Sequence, residues 1–164
     1  MHEKSIELLN KSVADELGAV HQYMYFHFRL DDLGYKPLAS MFKRIAIEEM
    51  IHVERFAERI LFLGGEVEME AADPVEKIHD ALKMLEKAQE MERAAQVDYN
   101  RRARDCAEHA DSGTRKIFED LVDDEERHFE LFETQVEHIQ RFGEQYLALH
   151  SFEDNPMGPP AAAE

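Results

Sequence analysis

The feature that most constrains this chain is a spacing of residues that occurs twice. A glutamate is followed 33 positions later by a second glutamate, and three positions beyond that by a histidine. The first set is Glu16, Glu49 and His52, and the second set, 76 positions later, is Glu92, Glu125 and His128. Residues three apart lie on one face of a helix, so each Glu-x-x-His pair can point at a single centre. The chain is therefore predicted to contain two similar helical hairpins.

Hydrophobic residues recur with a helical period through most of the sequence. Helices are predicted from about 3 to 33, from 37 to Gly64, from 80 to 110, and from a cap at Ser112 or Thr114 to about 141. A long connection covers residues 64–79, and a short helix follows Gly143. The fold class is thus all-α, a four-helix bundle with a long crossover and a short fifth C-terminal helix. Residues 1–152 are expected to form one domain and residues 153–164 a mobile tail.

Composition and charge exclude several classes of function. The net charge of −17 argues against a general binder of nucleic acid or of anionic membranes, since both require a positive face. It is compatible with attraction of cations, and equally with a surface that serves solubility. No apolar run reaches the length of a membrane span, the N-terminus lacks a signal-peptide pattern, and Cys106 is the only cysteine. The expected compartment is the cytoplasm.

The two repeated sets favour a metal centre. Four ionised carboxylates converging inside a helical bundle would be very costly unless cations neutralised them. Two divalent cations would cancel the four negative charges, and two neutral imidazoles would complete their coordination. This set matches the di-iron carboxylate arrangement of ferritin-like bundles, and the mixture of oxygen and nitrogen donors suits iron or manganese, with zinc as a competitor.

The chain also contains a control for this interpretation. Glu76 and His79 form a third Glu-x-x-His match, but they follow Pro74 in the predicted crossover. The position 33 residues before Glu76 is Lys43, so the upstream carboxylate is missing. This pair is predicted to lie on the surface. A lone glutamate or histidine is usually a solvated or structural residue, so a metal centre is predicted only where the complete set of three residues is present.

Several stretches extend the match over the whole chain up to the tail: ADELGAVHQYM, IEEMIHVERFAERILFLGG, EMERAAQ, LVDDEERHFELFE and FGEQYLALH. With these motifs the sequence resembles the bacterioferritins. The resemblance implies a 24-subunit shell, built from dimers, that stores iron as a ferric mineral and oxidises Fe(II) with dioxygen or hydrogen peroxide. It implies that Glu49 and Glu125 bridge two irons. The remaining ligands would be Glu16 and His52 for one iron, and Glu92 and His128 for the other.

The resemblance also implies a haem b or related porphyrin between paired subunits, held by Met50 from each. Met50 lies about 100° round the helix from Glu49, off the metal face. The expected pocket residues are Val20, Met24, Ile47 and Val53. The alternative is that Met50 only fills a dimer interface. Tyr23 is similar to a tyrosine near the metals that is associated with electron transfer in relatives. The alternative is that Tyr23 is only a buried aromatic residue that makes a hydrogen bond. A ferredoxin is a possible partner for iron release.

Three other classes of protein compete with the bacterioferritin interpretation. A stand-alone di-iron peroxidase or oxidase of the rubrerythrin type usually has a Cys-x-x-Cys rubredoxin module, which one cysteine excludes. Non-haem ferritins commonly have one Glu-x-x-His hairpin, and mini-ferritins lack the fifth helix. A metal-free helical interaction protein would leave the buried acidic residues unexplained.

An additional iron site on the inner surface, which some relatives build with a histidine, is not predicted in the same form. Arg44 occupies the position of that histidine, although Glu48 could still contribute to binding iron on this surface.

Overall fold

The computed structural model describes residues 2–153, which form five α-helices and contain no strand. The helices are α1 (Glu3–Asp32), α2 (Lys36–Phe62), α3 (Ala81–Glu108), α4 (Ser112–Phe142) and α5 (Glu144–Glu153). The all-α prediction and the four-helix bundle with a crossover and a short fifth helix are confirmed. Within the described range no helix combines the length and hydropathy needed to cross a membrane. The predicted tail, 153–164, lies outside the described residues apart from Glu153.

The helix boundaries follow local chemistry, with one correction to the sequence analysis. Asp111, and not Ser112 or Thr114, is the N-cap of α4: its carboxylate accepts from the Thr114 backbone N–H at 3.0 Å and from the Thr114 hydroxyl at 2.6 Å. Asp accepts these bonds from a position just outside the helix, whereas Ser112 already has helical geometry. Arg59 of α2 also binds this carboxylate at 2.8 Å, which joins the two helices at one end of the bundle.

The core consists of two apolar clusters with a polar layer between them. Helices α1 and α2 form one antiparallel hairpin and α3 and α4 another, each packed along its length. One cluster includes Phe26, Phe42 and Phe132, and the other includes Phe56 and Phe118. Along each helix a buried glutamate separates residues of the first cluster from residues of the second. The layer of four buried glutamates is thus enclosed by an apolar cluster on each side.

The crossover between Phe62 and Ala81 is fixed to α1 by two amide side chains. Asn10 donates to the Glu66 carbonyl and accepts from the Glu68 N–H, both at 2.9 Å. Gln22 donates to the Glu76 carbonyl at 3.0 Å and accepts from the Glu76 N–H at 2.8 Å. Each amide imitates the paired bonds of a neighbouring strand, so the extended segment has backbone partners where it passes over α1.

Candidate metal centre

The six side chains of the repeated sets meet in the polar layer. Glu16 comes from α1, Glu49 and His52 from α2, Glu92 from α3, and the last pair from α4. All six are at most 3% exposed. They form two overlapping groups in which the possible ligand atoms lie within 4.8 Å of one another. The groups are Glu16, Glu49, His52 and Glu125, and Glu49, Glu92, Glu125 and His128. Glu49 and Glu125 belong to both groups.

One nitrogen of His52 faces three carboxylates. Its Nδ1 lies 2.8 Å from Glu49 Oε2, 3.1 Å from Glu125 Oε1 and 3.3 Å from Glu16 Oε1. A single N–H carries one proton and cannot satisfy three anionic acceptors. The four atoms therefore surround a point where a cation, accepting one lone pair from each, is better matched than a proton.

His128 repeats this geometry on the other side of the shared carboxylates. Its Nδ1 lies 3.0 Å from Glu49 Oε1 and 3.7 Å from both Glu92 Oε2 and Glu125 Oε2. Within the described part of the chain, Glu49 Oε2, Glu125 Oε1 and His128 Nδ1 are buried without a partner in hydrogen-bond geometry, although the carboxylate oxygens are close to histidine nitrogens. Buried polar atoms are rarely left this way, and the arrangement fits a pair of divalent cations.

A second carboxylate holds the outer nitrogen of each histidine. His52 Nε2 lies 3.3 Å from Asp124 Oδ2, and His128 Nε2 lies 2.8 Å from Glu48 Oε2. A carboxylate can only accept, so each Nε2–H donates outward, and Nδ1 is the nitrogen whose lone pair faces the cluster once a cation displaces its proton. This is the tautomer that a metal-ligating histidine requires. From the sequence, Glu48 was expected only on the inner surface, and Asp124 was not predicted to take part. The 76-residue offset relates these two positions and could have found both.

Two buried tyrosines hydrogen bond to the unshared glutamates. The Tyr23 hydroxyl donates to Glu92 and the Tyr99 hydroxyl donates to Glu16. Tyr23 was predicted to lie near the cluster, and it does, but its hydrogen bond goes to the opposite hairpin. Tyr99 was not predicted as a site residue from the sequence, although it lies 76 positions from Tyr23. Burial, followed by the negative charge of nearby glutamates, raises the pKa of both hydroxyls, so they remain donors.

Burial and the crowding of negative charge shift the pKa values of the clustered groups toward their protonated forms. Burial and the charges of Glu49 and Glu125 raise the pKa of Glu16 well above its usual value. Burial and the hydrogen bond with Glu125 raise the pKa of Glu92 to about 8. For His52, burial lowers the pKa, but hydrogen bonds to Glu125, Glu16 and Glu49 outweigh it and raise the pKa well above the usual range. Cation binding must displace such protons.

A cavity of about 490 Å³ gives access to the carboxylate side of the cluster. It lies between α1, α3 and the crossover, and its lining includes the four clustered glutamates. Asp15, Asp73 and Asp98 line it as well, together with the ion pair of Lys87 and Glu76. An acidic cavity of this size can admit hydrated cations and small oxidants.

The third Glu-x-x-His match behaves as predicted. Glu76 and His79 are both exposed in the crossover. Glu76 pairs with Lys87 at 2.7 Å, and His79 Nδ1 lies 3.2 Å from Arg29. Neither residue belongs to the two groups of possible ligands. The upstream carboxylate, and not the short motif, distinguishes the clustered pairs.

Met50 lies on an outward face of α2. It is 46% exposed, as is Ile47, and Val20 and Met24 of α1 are half-buried. Val53, which was expected beside them, is instead buried in the core with Phe56. It points inward because it lies four positions after Glu49 and three before Phe56, so it shares the helix face of these buried residues.

The helical bundle and its buried carboxylate–histidine cluster define a ferritin-like protein, and a family model described as a ferritin-like domain matches residues 6–142. Among curated proteins, the bacterioferritin of Desulfovibrio desulfuricans is 40% identical over 145 residues, 88% of this chain and 81% of that protein. The bacterioferritin of Rhodobacter capsulatus is 40% identical over 148 residues, 89% and 91% of the two chains. The chain therefore belongs to the bacterioferritin family.

A solved structure agrees with this assignment. The X-ray structure of Desulfovibrio desulfuricans bacterioferritin, which was described with its diiron site in different catalytic states, matches with a TM-score of 0.90. The two chains are 37% identical, and the match covers 98% of this chain and 94% of the other. The fold similarity thus includes α5 as well as the four long helices.

Proposed function

We propose that this protein stores iron by oxidising Fe(II) to Fe(III) at a di-iron centre within each subunit and depositing a ferric mineral inside a 24-subunit shell. The family assignment supports iron storage. The observation that carries the catalytic part is the pair of histidine Nδ1 atoms, each surrounded by three carboxylates that one proton cannot satisfy. Iron is here a substrate as well as an occupant of the site.

The geometry supports a specific division of ligands. Glu49 and Glu125 would bridge the two ions, because their oxygens belong to both groups. Glu16 with His52, and Glu92 with His128, would complete one ion each. Two Fe(II) ions release two electrons, which reduce dioxygen to hydrogen peroxide or hydrogen peroxide to water. Buried carboxylates favour the ferric state because they are hard anionic ligands, and Tyr23 and Tyr99 orient the unshared glutamates.

The chain offers a matched control for the ligand assignment. Glu92→Ala combined with His128→Ala should leave the shell assembled but slow the rise of ferric absorbance after Fe(II) addition. The same exchange at Glu108 and His109, both exposed at the end of α3 and outside the cavity, removes an equal number of acidic and imidazole groups, and it should leave the rate unchanged. An unaltered rise in the first variant, with normal assembly by size exclusion, would defeat the assignment.

We also propose that Met50 of two paired subunits binds one haem. The exposed position of Met50 on α2 supports an intersubunit role. Met50→Leu should abolish the Soret band of protein purified with haem available, whereas Met69→Leu, at an exposed methionine in the crossover, should preserve it. A band that persists in Met50→Leu would show that another residue ligates the porphyrin.

The expected assembly has 24 subunits of 19.1 kDa, about 460 kDa, with closed symmetry. A particle of this size by size exclusion supports storage, whereas a dimer would favour a stand-alone di-iron peroxidase or oxidase. We further propose a cytoplasmic location and a ferredoxin as the electron donor for iron release. A lone cysteine that cannot form an internal disulfide supports the location, and Cys106 is buried as a free thiol.

A further inference from the structure

One arginine joins the two carboxylates that hold the histidines. Nη2 of Arg127 lies 2.7 Å from Glu48 Oε2 and 3.3 Å from Asp124 Oδ1. Glu48 in turn accepts from His128 Nε2, and Asp124 from His52 Nε2. The guanidinium is also 3.5 Å from His128 Nε2; both groups are donors, and the Glu48 oxygen between them accepts from each. A single side chain thus connects both imidazoles through their outer hydrogen bonds.

Arg127 breaks the internal repeat at this point. The ligands, the outer carboxylates and the tyrosines all recur at an offset of 76, but the position 76 residues before Arg127 is Ile51, which is exposed. The two half-sites therefore share one guanidinium. An arginine fits this role because its planar group has several N–H donors in fixed directions and can bind two carboxylates at once, whereas a lysine is a point charge.

We propose that Arg127 is a positioning residue for the di-iron centre: it fixes Glu48 and Asp124, and through them keeps Nδ1 of both histidines directed at the carboxylates. This inference rests on the proposed function, since it supposes that the cluster binds cations. The side chains of Arg127, Glu48 and Asp124 are 49%, 27% and 37% exposed, so these ion pairs add little to folding stability. Their effect is expected on metal binding.

The sign of the effect separates positioning from simple charge. As a charge alone, Arg127 repels a nearby cation, and its removal would tighten metal binding. As a positioning residue it orders two ligands, and its removal weakens binding because the imidazoles can rotate away. Loss of an outer hydrogen-bonding partner of a metal-binding histidine costs roughly 10- to 100-fold in affinity. Arg127 acts one step further out, so a loss of about 10-fold, at the low end of that range, is expected.

The test is a Co(II) titration of the metal-free, full-length assembled protein followed by visible absorption. Arg127→Ala should lower Co(II) affinity about 10-fold, shift the absorption spectrum as imidazole ligation is lost, and leave the thermal midpoint unchanged. Arg127→Lys should restore only part of the affinity. The control is Arg55→Ala, which removes another exposed pair between α2 and α4, with Asp120 at 3.2 Å, and should match the wild type.

Two results would overturn the proposal: tighter Co(II) binding by Arg127→Ala, or affinity and spectrum indistinguishable from those of Arg55→Ala. Failure of the proposed function itself has a different outcome. In that case the wild-type protein would not bind two Co(II) ions per subunit at the cluster, whatever residue 127 is. The wild-type stoichiometry therefore separates the two failures.

Discussion

The hairpin of α1 and α2 and the hairpin of α3 and α4 place the same residue types 76 positions apart, yet neither hairpin builds half of the site alone. Each tyrosine donates to a glutamate of the other hairpin, and each outer carboxylate binds a histidine of the other. Two aromatic trios, with centroids 5.1–5.7 Å apart, are also mixed. The trios are Tyr23, Phe42 and Phe132, and Tyr99, Phe118 and Phe56. The interior symmetry thus depends on docking of the hairpins.

The hairpins differ where they meet the surface. The start of α4 is capped by Asp111, whereas the equivalent Tyr35 at the start of α2 makes no side-chain cap bond within the described residues. The preceding turns have Ala110 at φ 55° and Gly34 at φ 84°. Arg127 faces Glu48, but Ile51 has no such role. The interior is constrained by two equivalent groups of buried carboxylates and imidazoles, and the periphery is free to diverge.

The largest effect on metal binding is expected when a carboxylate shared by both groups of ligands is removed. Glu49→Gln and Glu125→Gln should each abolish binding of both Co(II) ions, because each residue contributes to both groups of ligands. Glu16→Gln or Glu92→Gln should leave one ion bound. Titration of the metal-free protein gives the stoichiometry. Retention of one ion by the Glu49 variant would show that the two positions are independent.

The aromatic trios should contribute equally to stability. Phe42→Ala and Phe118→Ala each leave a cavity in a fully buried trio and should lower the free energy of unfolding by about 3–5 kcal/mol. Denaturant unfolding of the metal-free protein, followed by circular dichroism, measures both. Clearly unequal losses of unfolding free energy would show that the two trios have equivalent sequence positions but do not contribute equally to stability.

The tyrosine hydroxyls should have a smaller and again matched effect. Tyr23→Phe or Tyr99→Phe removes the donor to a buried glutamate and should cost about 1–3 kcal/mol in the metal-free protein. Tyr25→Phe, outside the cluster, serves as the control in the same unfolding experiment. A cost at one tyrosine only would localise the buried charge to one half-site.

The Asp111 cap exists in one hairpin only and should make stability depend on pH. Burial acts to raise the pKa of this carboxyl, but hydrogen bonds from Thr114, Ser5 and Arg59 outweigh burial and hold the pKa below its usual value. Its contribution is therefore present above the unfolded pKa of about 3.9 and is lost as pH falls below it. Asp111→Ala should cost about 0.5–2 kcal/mol at neutral pH, measured by thermal unfolding. The difference from wild type should shrink in acid; a constant difference would contradict this.

The smallest effect concerns the turn before α4. Ala110 has a positive φ, a backbone conformation that is strained for a residue with a Cβ atom. Gly34 at the equivalent turn also has a positive φ, but it has no Cβ atom and is not strained. Ala110→Gly should stabilise the protein by under about 1 kcal/mol, since relief of strain is partly offset by the greater freedom of unfolded glycine. A precise comparison of thermal midpoints measures it. A lower midpoint would show that this turn tolerates alanine without cost.

The sequence predicted the helices because they depend on periodicity along one segment, and the six clustered residues because the same spacing within and between the helices of a hairpin occurs twice. Glu49 and His52 share a face through local geometry alone, and Gly34 and Gly143 mark ends through their own backbone preferences. Contacts between hairpins were missed. The bonds from Tyr99 to Glu16 and from His52 to Asp124 depend on how two hairpins rotate and slide against each other, which no periodicity determines.

The crossover has a practical consequence for protein engineering. Asn10 and Gln22 fix it at points 12 positions apart on α1, about 18 Å along the helix axis. Between them, the Ala72 N–H also donates to the Ala14 carbonyl at 3.0 Å, about 6 Å along α1 from Asn10. The chain from Glu68 to Ala72 could extend to about 13 Å, so this part of the crossover has slack. Met69 is 64% exposed there. A peptide inserted after Met69 would be displayed outside the bundle while the anchored ends keep α3 in place.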